Sequence, residues 1–292
     1  MGVMAGKLAS PARFDWYQAS AFTDVTTLRG ILSEVKPGAE WENLERVPHG
    51  YDFGWRLSDG DGRIVDVWHG SKHAHPHFVS SGAVAHDVSE LIRAELPGKH
   101  AVSRADPCMD FLGESSYDLL QDKFVQVASE RKIKLDTRGD HLLYKQGRTV
   151  YLGAESSNVR ARVYDKAFEL RAKFQPFPDV LETIPEHLAR LEAQVRPKGA
   201  AAKLAAGSAS PVELFGSADW LRYLMQHVAG LDLEPFQASP VWRKSDDDRA
   251  YAAMLTQYGN LLRRMRENLG SAECVGLQIF DDLAAIKRRP GL

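Results

Sequence analysis

The chain has 292 residues, with 37 Lys and Arg against 39 Asp and Glu, so its formal net charge is −2. At 44% hydrophobic and 26% charged it is neither a disordered tail nor a membrane-spanning chain, and no run of about 18 apolar residues occurs. The near-neutral balance argues against non-specific wrapping of nucleic acid, so any DNA or RNA surface has to be local. Met1-Gly2-Val3-Met4-Ala5-Gly6-Lys7 lacks a secretory apolar stretch. The only cysteines, Cys108 and Cys274, are too few for a disulfide framework or a Cys-rich zinc site. The expectation is a cytoplasmic protein with no membrane partner.

Residues 1–12 mix Gly, Ala, Ser and Pro without period and read as a flexible tail. Arg13 to Tyr17 reads as a strand, and Thr26 to Val35 as a helix with Leu28, Ile31, Leu32 and Val35 at helical spacing. Tyr51 to Leu57 and Arg63 to His69 are extended arms about the turn signal Asp59-Gly60-Asp61-Gly62, and His75 to Val79 adds a strand. Ala85 to Leu96 is helical and stops before Pro97-Gly98. Beyond Lys198, the Ala/Gly/Ser-rich stretch from Gly199 to Pro211 marks a boundary or loop. Helices follow at Trp220–Val228, Arg249–Leu269 with Gly270 as C-cap, and Val275–Ile286 before Lys287-Arg288-Arg289-Pro290. No internal repeat is legible. The fold class expected is α+β: a domain centred on an antiparallel sheet with flanking helices, over 13–198, and a helical C-terminal region, 211–287.

Three segments can carry chemistry. In Val102 to Phe111, strand geometry sets Arg104, Asp106, Cys108 and Asp110 on one face. Two carboxylates facing one way repel, and a divalent cation or a phosphate-handling site would offset that; a solvated Asp pair is the plain alternative. Pro107 removes a ladder donor and implies an edge strand or a bulge. Next, Thr149–Gly153 and Val159–Lys166, joined by Ala154 to Asn158, read as a hairpin. Its second arm puts Arg160, Arg162, Tyr164 and Lys166 on one face, where nearby cations would lower a phenol's pKa, or where arginines merely stack on a surface Tyr. From Arg138 to Lys173 there are eight basic residues against four acidic, a basic patch that the overall charge hides. Finally, Arg190-Leu191-Glu192-Ala193-Gln194-Val195-Arg196 alternates as a strand but also fits a helix with Leu188, Leu191 and Val195 as its stripe.

In order, Arg104-x-Asp106-x-x-x-Asp110-Phe111, Tyr151-Leu152-Gly153 leading to Arg162-Val163-Tyr164-Asp165-Lys166, and Arg190-x-Glu192-x-x-x-Arg196 resemble the signature of rolling-circle replication initiators. More narrowly they resemble the replication initiation factor family of plasmids and filamentous phages, which includes relaxases of some integrative elements. Phe14-Asp15-Trp16 and the region from Tyr258-Gly259 to Gly270 are similar to that family's ends, so the resemblance spans most of 14–270. It implies that Tyr164 is the nicking nucleophile with Arg162 and Lys166 as its basic flank, that Asp106, Asp110 and Glu192 are metal-associated, and that Arg104, Arg160, Arg190 and Arg196 touch DNA. Pro107 departs from the apolar residue expected in its place.

The activity so implied is a metal-dependent nicking and closing of one DNA strand. A phosphodiester is anionic, so displacement at phosphorus needs neutralising charge, here Mg²⁺ or Mn²⁺ on hard oxygen ligands. A tyrosine nucleophile conserves the broken bond as a 5′-phosphotyrosine for later rejoining and frees a 3′-OH. The implied partners are origin DNA, single-stranded or an extruded hairpin, a host helicase and polymerase, and a second copy in a homodimer. Replication start and conjugative transfer share this chemistry, so a relaxase is an alternative, as are a non-catalytic sequence-specific DNA-binding protein on the same fold and a metal-dependent hydrolase. His73-Ala74-His75, with His69 and His77, offers a competing His-x-His metal reading, for which a loop or strand edge is the default.

Overall fold

The computed structural model describes residues 9–60, 62–239 and 246–287. In chain order the elements are β1 (Arg13–Ala21), α1 (Val25–Ser33), β2 (Glu40–Asn43), β3 (Phe53–Asp59), β4 (Gly62–Gly70), β5 (His73–Ser81) and α2 (Ala85–Glu95). Then come β6 (His100–Leu112), α3 (Ser116–Arg131), β7 (Leu135–Arg138), β8 (Thr149–Leu152), β9 (Val159–Asp165), α4 (Lys166–Phe174), α5 (Pro178–Thr183) and β10 (Leu188–Val195). The rest is helical: α6 (Ala200–Ser208), α7 (Pro211–Leu214), a single 3-10 turn (Phe215–Ser217), α8 (Asp219–Ala229), α9 (Asp246–Leu269) and α10 (Ala272–Lys287). Two compact units result, Met1–Pro240 and Val241–Leu292. The architecture is α+β, as the sequence predicts.

All ten strands form one antiparallel sheet in the order β2-β3-β4-β5-β1-β6-β10-β9-β8-β7. The order repeats itself: β1, α1 and four strands are followed by β6, α3 and four strands, each set running outward from the sheet centre as first, fifth, fourth, third, second. The two halves meet where β1 and β6 pair antiparallel. The repeat is one of topology, with a faint echo in Arg13-x-Asp15 and Arg104-x-Asp106.

Alternation gives the sheet two unlike faces. One is apolar: Phe14, Tyr17, Phe78, Leu152, Val163 and Leu191 join a continuous core with Leu28, Leu32, Ile92, Leu120 and Phe124 from the helices. Helix α2 packs on β1 and α6 on β6, while α3 touches β8, β9 and β10. The other face is polar and carries the chemistry.

Several local expectations are corrected. Ala9 bridges Phe111 and the Ser10 amide bonds to the Asp110 carbonyl, so the end of the supposed tail is tied to β6; residues 1–8 lie outside the described residues. Gly199–Pro211, expected as a boundary or loop, contains α6, whose Gly207 stands so close to His100 that a Cβ there would come within 3.0 Å of the imidazole. Helix α3 was not predicted, although Tyr117, Leu120, Phe124 and Val127 sit at helical spacing and are its buried stripe. The Gly270 C-cap holds: its φ is +83° and its amide bonds to the Arg266 carbonyl. Arg288, Arg289 and Pro290 lie outside the described residues.

Candidate active site

The polar face is assembled from four neighbouring strands, β1, β6, β10 and β9. The segment 190–196, helix or strand by its pattern, is strand β10 up to Val195, which puts Glu192 opposite Cys108 on one side and Arg162 on the other. The same ladder sets Arg190 opposite Asp110 and Tyr164, and Gln194 opposite Arg160. Pro107 sits on a central strand, not an edge; β1 accommodates it with a bulge between Phe14 and Trp16, directly opposite. Asp106 and Asp110 thereby keep the shared face that period 2 predicts.

Every acid on this face has a cationic partner. Arg104 clasps Asp106, its Nε donating to both carboxylate oxygens at 2.9 and 3.1 Å. Arg162 Nη2 donates to Glu192 Oε1 at 2.7 Å and Oε2 at 2.9 Å. Arg190 donates to Asp110 at 2.6 and 2.9 Å and to Asp15 at 2.5 Å, and Arg13 adds a 2.6 Å contact to Asp110. Two clusters result. Asp106 and Glu192, 0% and 1% exposed, form one with Arg104 and Arg162; Asp110 and Asp15 form the other around Arg190.

The two clusters differ electrostatically. Burial raises the pKa of Asp106 against the pull of Arg104 and Arg162. Burial, reinforced by the neighbouring charge of Asp106, pushes Glu192 up to about 8 despite Arg162. In this pair burial outweighs the two arginines. Asp110 is the opposite case: burial favours its neutral form, but the bonds and charge of Arg190, with those of Arg13, hold its pKa below the ordinary value. Burial also drives the Cys108 thiol up to about 12, so it is no nucleophile.

The sequence resemblance implies a divalent cation, and the donor set can be tested against it. Among the described residues no group of three His, Cys, Asp or Glu side chains is placed to hold a metal ion. The expected Asp106, Asp110, Glu192 trio is therefore divided, because Arg190 and Arg13 hold Asp110 in the other cluster. Of the three, Asp106 and Glu192 stay together as buried, oxygen-only groups of the kind a hard cation takes, each paired with an arginine in this structure.

Tyr164 lies in this polar layer, outside the apolar core, and is 7% exposed. Arg162 is 5.0 Å and Lys166 Nζ 5.5 Å from its ring centroid. Lys166 reaches it by a route the strand pattern does not predict. Asp165 ends β9 and caps α4 by accepting from the Phe168 amide at 2.9 Å, so Lys166 is the first residue of a helix and pairs with Glu169 at 2.8 Å. The expectation that the flanking cations lower the phenol's pKa is overturned. Burial raises it strongly, Glu192, Asp15 and Glu169 add to the rise, and Arg190 opposes them. Arg162 spends its hydrogen bonds on Glu192.

The four arginines expected on DNA separate as well. Arg104, Arg160 and Arg196 border one cavity, whereas Arg190 is locked between Asp15 and Asp110. Asp15 and Arg13 also belong to the site, and the repeated Arg-x-Asp of Arg13-Phe14-Asp15 and Arg104-Ala105-Asp106 is the sequence signal that points to them. Of the histidines, His73 stacks on Tyr51 at 4.1 Å between centroids, and His77 is buried among Gln18, Ser20 and Trp68, with its pKa lowered to about 4 by burial, His49 and His73.

No protein-family model and no curated protein matches the sequence. Among solved structures, the chain is similar to one described as the structure of a rolling circle replication initiator protein from Geobacillus stearothermophilus. The identity is 16%, the match covers 82% of this chain and 90% of that one, and the TM-score is 0.50. The two share a fold.

Proposed function

We propose that this chain, which has the fold of a rolling-circle replication initiator, nicks and rejoins one strand of DNA at an origin through a covalent bond to Tyr164. The observation that carries the reading is that the Tyr164 ring lies in the charged layer of the sheet, within reach of the buried Glu192 carboxylate and beside two cations. The oxygen of Tyr164 attacks phosphorus, the bond to the 3′ oxygen breaks, and that oxygen leaves with a proton as a 3′-OH. The phenolic proton passes to Asp15, whose negative charge is felt at the ring, and the departing 3′ oxygen takes its proton from water. Asp106 and Glu192 would hold Mg²⁺ or Mn²⁺, which supplies charge neutralisation at the phosphoryl oxygens. Arg162 holds Glu192 in place and lies against the Tyr164 ring, while Lys166 adds positive charge beside it. Asp110 and Arg190 position strands β6, β10 and β1 and take no metal.

The test is a gel that survives detergent. A 3′-labelled, random-sequence, single-stranded DNA library is incubated with the protein and Mg²⁺ or Mn²⁺. A labelled protein band is expected for the wild type and lost completely in Tyr164→Phe. Asp106→Asn is expected to lower its yield by roughly 100-fold or more, the scale of removing one group that stabilises developing charge. A protein that shifts the library on a native gel but never forms the adduct, with either ion, would be the non-catalytic DNA-binding alternative. Cleavage that survives Tyr164→Phe would make it a metal-dependent hydrolase. In either case the proposal is wrong.

A further inference from the structure

Beside the Tyr164 cluster, on the same face, a cavity of about 270 Å³ opens between β7, β8, β9, β10 and β6. Five guanidinium groups line it, from Arg104, Arg138, Arg160, Arg162 and Arg196, and Glu155 is the one acid in its wall. Arg104 and Arg162 are paired with Asp106 and Glu192, which leaves Arg138, Arg160 and Arg196 as like charges that repel unless a counter-charge from outside joins them. The donors are not used up internally. Arg160 is 7% exposed, its buried Nε has no hydrogen-bond partner, and its nearest acid, Asp136, is 3.6 Å from Nη2. Arg196 is held by the carbonyl oxygens of Glu155 and Ser157 at 3.1 and 3.3 Å, not by a carboxylate. Tyr151 braces the group: the Arg160 guanidinium lies 3.9 Å and that of Arg138 5.1 Å from its ring centroid.

Shape and position identify the guest. The volume is slightly below the range of pockets for drug-sized molecules, and its wall is almost wholly polar, which suits a small anion better than a nucleobase. Along β9 the alternate residues Tyr164, Arg162 and Arg160 share the face, about 7 Å apart. The cavity therefore begins one such step along β9 from Tyr164.

Building on the nicking reading, we propose that this cavity seats an internucleotide phosphate adjacent to the scissile one, with Arg138 and Arg160 as its principal ligands and Tyr151 as the residue that positions them. It fixes where along the strand the scissile phosphate meets Tyr164. Forked guanidinium donors suit phosphate oxygens better than an ammonium would, and they bind without reading a base.

The test separates binding from chemistry. Affinity for a fluorescent, random-sequence, single-stranded oligonucleotide is followed by anisotropy across a salt series, in a Tyr164→Phe background. Each lost phosphate contact is expected to reduce the slope of log affinity against log salt by about 0.7. Adding Arg138→Gln should give this reduction with several-fold weaker binding, as should Arg160→Gln. Because Arg160 is buried, the exposed Arg138 carries the test should the Arg160 variant not fold. Tyr151→Ala should also lower the slope, whereas Tyr151→Phe keeps the ring and should not; Lys99→Gln, in the turn before β6, should change nothing. Unchanged slopes for Arg138→Gln and Tyr151→Ala would overturn the subsite even while the intact chain forms its Tyr164 adduct. An equal fall for Lys99→Gln would overturn it too, by showing only diffuse charge. A selective fall in slope from a protein that never forms the adduct would support the phosphate subsite and sink the nicking reading.

Discussion

Tyr164 and Asp110 show how two side chains of one sheet face are driven in opposite directions by their neighbours. Burial holds Tyr164 as a neutral phenol, so the attacking form has to be made during the reaction and its yield should climb with alkalinity. Asp110 is held charged by Arg190 and Arg13. Its folded pKa lies below its unfolded one, so its contribution to stability is full at neutral pH and is lost as the pH falls through the folded value. Asp110→Asn is expected to cost about 3 kcal/mol at pH 7 by leaving Arg190 short of its counter-charge, measured by urea unfolding, with the gap to wild type closing under strongly acid conditions. Strand period placed Asp106 and Asp110 on one face from sequence alone. It had no means of showing that Arg190, eighty positions from Asp110 along the chain, and Arg13 would claim one carboxylate and leave the other to Glu192.

At the scale of elements, local signals served well wherever the deciding forces are local. The hairpins, the Gly270 cap and the helix from Ala85 were readable because turn chemistry and spacing act over a few residues. Segment 190–196 needed the ladder partners of β6 and β9 to become a strand, since both periods fit its apolar residues. The Ala-rich stretch after Gly199 resembled a linker in composition, yet Ala202 and Ala206 are buried where α6 approaches β6, a place that favours small side chains. Helix α3 ends with Lys132 in the left-handed region, at φ +54° and ψ +45°, with its side chain exposed. Glycine tolerates that geometry and lysine is strained by it, so Lys132→Gly is expected to stabilise the protein by about 1 kcal/mol, read as a higher thermal midpoint.

Over the whole molecule, the sheet is a duplicated motif in which the second half supplies most of the charged site and the first supplies Asp15 and Arg13 across the central seam. Among the described residues, the continuous apolar core runs along the chain from Phe14 to Ala238. A chain ending at Pro240 is therefore expected to fold cooperatively and to melt within a few degrees of the full chain, by circular dichroism. Loss of the cooperative transition would show that the residues beyond 240 are needed to complete the fold. No helix among the described residues is long and apolar enough to cross a membrane.

By itself the sequence determined which side chains share a face, where the chain turns, and that basic residues gather between Arg138 and Lys173. These follow from backbone periodicity and the conformational limits of Gly, Pro and Asp, which act within a few residues. Tertiary structure alone decided which acids meet, which arginine neutralises each, and that the Tyr164 pKa rises instead of falling. Ion pairing and desolvation depend on groups brought together from β1, β6, β9 and β10, and no local pattern encodes that register.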